Sequence, residues 1–94
     1  MSSCPFCAVD PGDHVWANDL AVAFRDAYPV SKGHTLIVPR RHVPTYFEAS
    51  PWEQQAIFQG LEAVKKQLET EFSPHGYNIG INVGEAAGQT VMHL

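Results

Sequence analysis

The sequence predicts an α+β fold: an antiparallel sheet of about five strands with one long helix packed across it, in a single domain covering residues 1–94. Three observations carry this. Two short β-rich runs flank an Asn18-Asp19 turn, a capped amphipathic segment begins at Ser50, and Tyr77 to Val83 alternates apolar with polar or glycine residues.

Residues 1 to 13 are rich in cysteine, proline and glycine. His14 to Ala17 and Leu20 to Arg25 then read as a hairpin. In the second run Leu20, Val22 and Phe24 share one face, with Ala21, Ala23 and Arg25 on the other, so one apolar side is expected to meet the core or a ligand pocket. Tyr28 to Gly33 makes a loop, and His34-Thr35-Leu36-Ile37-Val38-Pro39 suits a central strand ended by proline.

Thr45 to Glu48 is expected as a short helical turn. Ser50-Pro51-Trp52-Glu53 supplies an N-cap serine, proline at the first helical position and glutamate three residues after the cap. Ile57, Leu61, Val64, Leu68 and Phe72 form an apolar stripe on the helix that follows, and Ser73-Pro74-His75-Gly76 ends it. Tyr77 to Val83 reads as a half-buried strand and Gly84 to Gly88 as a turn, ahead of a last strand that carries Val91 and His93.

Ten acidic against six basic side chains give a net charge of -4, which argues against a general nucleic-acid or anionic-membrane surface. The sequence contains no apolar run long enough to span a bilayer, and the first residues lack the pattern of a secretory signal, so a cytoplasmic location is expected. In that reducing setting Cys4-Pro5-Phe6-Cys7 is read as a metal or redox pair. A glutaredoxin-like redox centre needs a preceding core strand and a following helix, and neither surrounds this pair.

Two thiolates at this spacing fit adjacent corners of a tetrahedral zinc site, and the further ligands could come from His14, His34, His42, His75 or His93. The residues alone leave that choice open. At the other end Gly88-Gln89-Thr90 has the small and hydrogen-bonding residues of a phosphate-binding turn, feeding the strand that carries Val91 and His93 on one face.

Gly88-Gln89-Thr90-Val91-Met92-His93-Leu94 resembles the approach to the His-x-His-x-His motif of the HIT (histidine triad) superfamily of nucleotide hydrolases and transferases. With Cys4, Cys7 and Gly33-His34-Thr35-Leu36-Ile37-Val38-Pro39, the resemblance extends over essentially all 94 residues. It implies a HIT-like fold, a homodimer and, in the zinc-bearing bacterial-type branch, a structural zinc ion held by Cys4, Cys7, His42 and His93. Taken singly, His42 reads as a surface histidine in a basic loop and His93 as a half-buried strand residue bonded to backbone.

The resemblance further implies a purine nucleotide or nucleotide-ester substrate, of the dinucleoside polyphosphate or nucleoside phosphoramidate class. Asp26 would face the ribose hydroxyls, Phe6, Val9 and Phe24 the base, and Asn82, Gln89 and Thr90 the phosphates, with His34 supporting the triad. Plain alternatives stand beside these: Asp26 and Asn82 as turn residues, the phenylalanines as core, and Lys32, Arg40 and Arg41 as a solvated basic loop. The nucleophilic middle histidine is expected immediately after Leu94, so the 94-residue chain is expected to be without turnover. The alternative is a zinc-stabilised nucleotide-binding or dimerisation module that performs no chemistry.

Overall fold

The computed structural model describes residues 6–26 and 33–84. The order of elements is a 3-10 turn at Pro11–Asp13, strands β1 (His14–Ala17), β2 (Ala21–Arg25) and β3 (Thr35–Pro39), a second 3-10 turn at Tyr46–Glu48, and the helix α1 (Pro51–Phe72). Among the described residues the sheet has three strands, all antiparallel, in the order β1-β2-β3.

Asn18 makes the hairpin turn. Its side-chain oxygen accepts from the amides of Leu20 and Ala21 at 3.0 and 2.8 Å, the local bonding that suits asparagine to turns. Its amide group donates to the Ala56 carbonyl at 3.3 Å and to Gln59 Oε1 at 3.1 Å, so the same side chain fastens the hairpin to the helix.

Both faces of β2 are covered, not only the apolar one expected. Ala21 and Ala23 are fully buried, and Val22 and Phe24 are each 5% exposed. The register pairs Val22 with Val38 and Phe24 with Leu36, placing these four on one face, while Ala23 and Ile37 pair on the other. The alanines face the helix because a small side chain allows its backbone to come close. Gly60 serves the same end from the helix side: a Cβ there would lie 2.7 Å from Trp16 Cζ3 and 3.1 Å from Ile37 Cγ2. The most deeply packed line of α1 is therefore Glu53, Ala56, Gly60 and Val64, with the larger residues Ile57, Leu61, Leu68 and Phe72 half-buried beside it.

The expected cap is present at the helix start. Ser50 Oγ accepts from the Glu53 amide at 3.1 Å, and Glu53 Oε1 accepts from the Ser50 amide at 2.8 Å. Glu53 is also the buried charged residue of the core, 5% exposed, and receives a two-pronged bond from Arg41: Nη2 to Oε1 at 2.8 Å and Nε to Oε2 at 3.2 Å. A second ion pair, Arg25 Nη2 to Glu71 Oε2 at 2.7 Å, joins the end of β2 to the last turn of α1. Arg41 and Arg40 are both exposed, as residues of a solvated loop are, yet both are tied to the fold, Arg40 through its Nε, which donates to the Asn18 carbonyl at 3.0 Å.

The expected strand over Tyr77 to Val83 is not formed among the described residues. Alternation assigns residues to faces, but a strand also needs a neighbour for its amides and carbonyls. The segment has none in the three-stranded sheet, and Ile79 and Ile81 stay 61% and 48% exposed instead of half-buried. Tyr77 leans on the helix instead, its hydroxyl 3.4 Å from the Lys65 carbonyl and its ring 5.4 Å from Lys65 Nζ. The expected last strand, which carries Val91 and His93, lies outside the described residues.

Two expected outcomes follow from this packing. Gly60→Ala gains about 1 kcal/mol of helix propensity but overpacks Trp16 and Ile37 at a cost of about 1–3 kcal/mol, so the variant melts at a lower temperature with a changed near-ultraviolet Trp16 signal. The Arg41 guanidinium, helped by the Ser50 amide and opposed by burial, holds the Glu53 carboxyl down to about 2 from an ordinary 4.5. A carboxyl depressed in the folded state contributes stability above its unfolded value and loses it as the pH falls toward the folded one. Denaturation between about pH 4.5 and 2 will show the loss of about 2 kcal/mol, discounted for the solvent around Arg41, and Glu53→Gln will flatten that slope.

Candidate functional site

Strands β2 and β3 present chemical groups at both ends of their ladder. At one end the Asp26 amide donates to the His34 carbonyl at 3.0 Å, prolonging the pairing of Arg25 with Thr35 by one step. This brings the side chains together, with Asp26 Oδ2 3.0 Å from His34 Nδ1. The two atoms are close but not aligned as a hydrogen bond, and Nδ1 itself is buried.

Arg25 holds this end. Its guanidinium donates to Thr35 Oγ1 and to Glu71, and Thr35 Oγ1 donates to the Gly33 carbonyl at 2.8 Å. Gly33 has φ +83°, and a Cβ there would lie 3.0 Å from Leu68 and Phe72, so glycine is required both by the backbone and by the helix beside it. Sequence reasoning placed Arg25 only on a strand face; its partner Glu71 is 46 residues away, and no local pattern links the two.

The apolar residues nominated for a base converge. Val22, Phe24 and Val38 form the core cluster on the face turned from the helix, with Phe6, Val9 and Leu36 packed against it. Phe6 meets Phe24 edge to face at 5.6 Å between ring centroids, and His14 stacks on Phe24 at 6.4 Å. His14, one of the metal-ligand candidates, is engaged with this aromatic group. Phe24 and Asp26 lie two residues apart, so the cluster runs up to the Asp26–His34 pair.

At the other end Cys7 Sγ lies 3.3 Å from His42 Nδ1, although 35 residues separate them in the chain. Two corners of a tetrahedral site with zinc–sulfur and zinc–nitrogen bonds of ordinary length stand about 3.5 Å apart, so the donor pair has the spacing and chemistry of one edge of such a site. Among the described residues no group of three or more potential ligands gathers. Cys4 and His93, with the phosphate-turn residues Gln89 and Thr90, lie outside the described residues. Asn82 is described, exposed, on the segment that leaves the helix.

The HIT domain matches residues 8–94, and the chain belongs to the HIT family. It is 41% identical over 98 residues to an uncharacterised HIT-like protein of Saccharolobus solfataricus, covering 96% of this chain and 68% of that one. The crystal structure of a HIT family protein from Bacillus anthracis superposes with a TM-score of 0.88 at 36% identity, covering 97% of this chain and 67% of that one. The bis(5'-nucleosyl)-tetraphosphatase (asymmetrical) of Schizosaccharomyces pombe is 39% identical over 75 residues, 80% of this chain and 41% of that protein. The chain thus spans about two thirds of the length of the first two relatives and less of the third. Among the described residues, no helix is long and apolar enough to cross a membrane.

Proposed function

We propose that the protein of which this chain forms the HIT domain binds a purine nucleotide ester and cleaves or transfers it at the α-phosphate. The observation that carries this reading is that the partly buried Phe6 and Val9 pack on Phe24, two residues before the Asp26–His34 pair, so apolar side chains for a base and a carboxylate suited to a diol lie along one strand. The tetraphosphatase relative acts on a bis(5'-nucleosyl) compound, which agrees with a dinucleoside polyphosphate as substrate.

In this reading Asp26 accepts from the ribose hydroxyls, and Asn82, Gln89 and Thr90 donate to phosphate oxygens, drawing charge off the phosphorus. A triad histidine following His93 attacks the α-phosphorus as its bond to the leaving group, a nucleoside polyphosphate or an amine, breaks; water or another acceptor then takes the nucleotidyl group from the histidine by breaking the phosphorus–nitrogen bond. His34 supports the triad from beside Asp26. A homodimer is part of the proposal, and the exposed aromatics Phe47, Trp52 and Phe58 offer apolar surface for such contact.

Zinc held by Cys4, Cys7, His42 and His93 would tie the amino-terminal segment to the ends of the sheet, adding folding energy that a small core needs. The Cys7–His42 spacing supports this ligand set. The purified protein is expected to carry one zinc per chain, and Cys7→Ser and His42→Ala each to lower that content. Zinc-free protein with freely titratable thiols after growth in zinc-replete medium would contradict it.

Calorimetry with adenosine monophosphate tests the nucleotide site. We expect saturable binding that Asp26→Asn weakens about tenfold, the equivalent of losing about 1.5 kcal/mol of charge-assisted hydrogen bonding to the ribose. Equal binding by the variant would remove Asp26 from the site. Saturable binding by a protein that shows no turnover would leave the nucleotide-binding module as the description.

A further inference from the structure

His42 Nδ1 meets Cys7 Sγ at 3.3 Å on an exposed part of the molecule. The backbone on either side of His42 is anchored. Val43 is 2% exposed and anchors the following position in the core. On the preceding side Arg41 reaches across to α1 and grips both oxygens of Glu53, at 2.8 and 3.2 Å, while its Nη2 also approaches the Glu48 carbonyl at 3.5 Å. One residue earlier, the Arg40 amide donates to the Leu20 carbonyl at 2.8 Å and its Nε to the Asn18 carbonyl.

Glu53 is suited to this task because it is itself immobile. Its side chain is 7% exposed, its amide is bonded to Ser50 Oγ, and its Oε1 accepts from the Ser50 amide as well as from Arg41. A guanidinium meeting a carboxylate at two points fixes direction as well as distance, which a point charge does not. One buried carboxylate therefore joins the first turn of the helix to the loop that carries His42.

We propose that Arg41 and Glu53 are positioning residues for the metal site, setting the His42 imidazole at its ligating distance from Cys7 by locking the loop to the helix start. This rests on the reading of Cys7 and His42 as metal ligands. Neither Arg41 nor Glu53 touches the ion. Their effect is to remove the entropy that the loop would otherwise lose when the ion binds, and outer-shell partners of this kind change metal affinity by about ten- to a hundredfold.

The test is cobalt binding by the intact metal-free protein, read from the thiolate-to-cobalt absorption band, with circular dichroism confirming that each variant is folded at the working temperature. Arg41→Ala and Arg41→Lys should each weaken binding about tenfold, lysine failing to rescue because it keeps the charge but not the fork. Gly60→Ala is the control for a purely structural role: it overpacks Trp16 and Ile37 and melts earlier, yet touches neither Arg41 nor Glu53 and should bind within about twofold of the parent. Parent-like affinity in both Arg41 variants, or an equal loss in Gly60→Ala, would overturn the positioning role alone. Absence of the absorption band in the parent would overturn the ligand assignment itself, and this inference with it.

Discussion

The constraint on which the structure turns is that β2 must be covered on both faces. Ala21, Val22, Ala23 and Phe24 are all buried, and the alternation of small and large side chains along them gives the two coverings different characters. Where the side chains are alanine, the helix approaches closely enough that Gly60 sits against Trp16 and Ile37. Where they are valine and phenylalanine, the covering is Phe6 and Val9, themselves only partly buried. A half-buried strand could have placed either the helix or the candidate base surface; only a fully buried one places both.

Ion pairs then fasten the two layers at both ends. Arg25 reaches Glu71 in the last turn of α1, and Arg41 reaches Glu53 in the first. The exposed pair contributes little energy on its own account, whereas the buried carboxylate of Glu53 must keep its partner or become an uncompensated charge in the core. These two arginines each stand one residue before a candidate site residue, Asp26 in one case and His42 in the other. The docking of the helix and the placement of the site residues are thus achieved by the same side chains.

Local signals were readable from the sequence and distant ones were not. Ser50, Pro51 and Glu53 announce the helix start because the bonds they make lie within four residues, and Asn18 announces its turn for the same reason. The second role of Glu53 depends on Arg41, twelve residues back across a loop, so its burial could not be inferred from spacing. Gly60 has no signature of its own, since a glycine inside a helical pattern looks like a weakness until its neighbours are known. The Tyr77 to Val83 run shows the converse: the alternation is present in the sequence, but its apolar residues are exposed, and pairing depends on a neighbouring strand that no local pattern supplies. For the candidate site, geometry brings Phe6, Val9 and Phe24 together, Asp26 to His34, and Cys7 to His42; the placement of Cys4, Gln89, Thr90 and His93 lies outside the described residues.

In the proposed function the ligand meets the Phe6 and Val9 side of β2, and the alanine face serves only to dock the helix. Heteronuclear NMR with adenosine monophosphate added stepwise tests it most directly. Concerted shifts are expected at Phe6, Val9, Phe24, Asp26 and His34, with Ala21, Ala23 and Gly60 unmoved. Shifts confined to the helix-facing residues, or saturation with no response at Asp26 and Phe24, would contradict it.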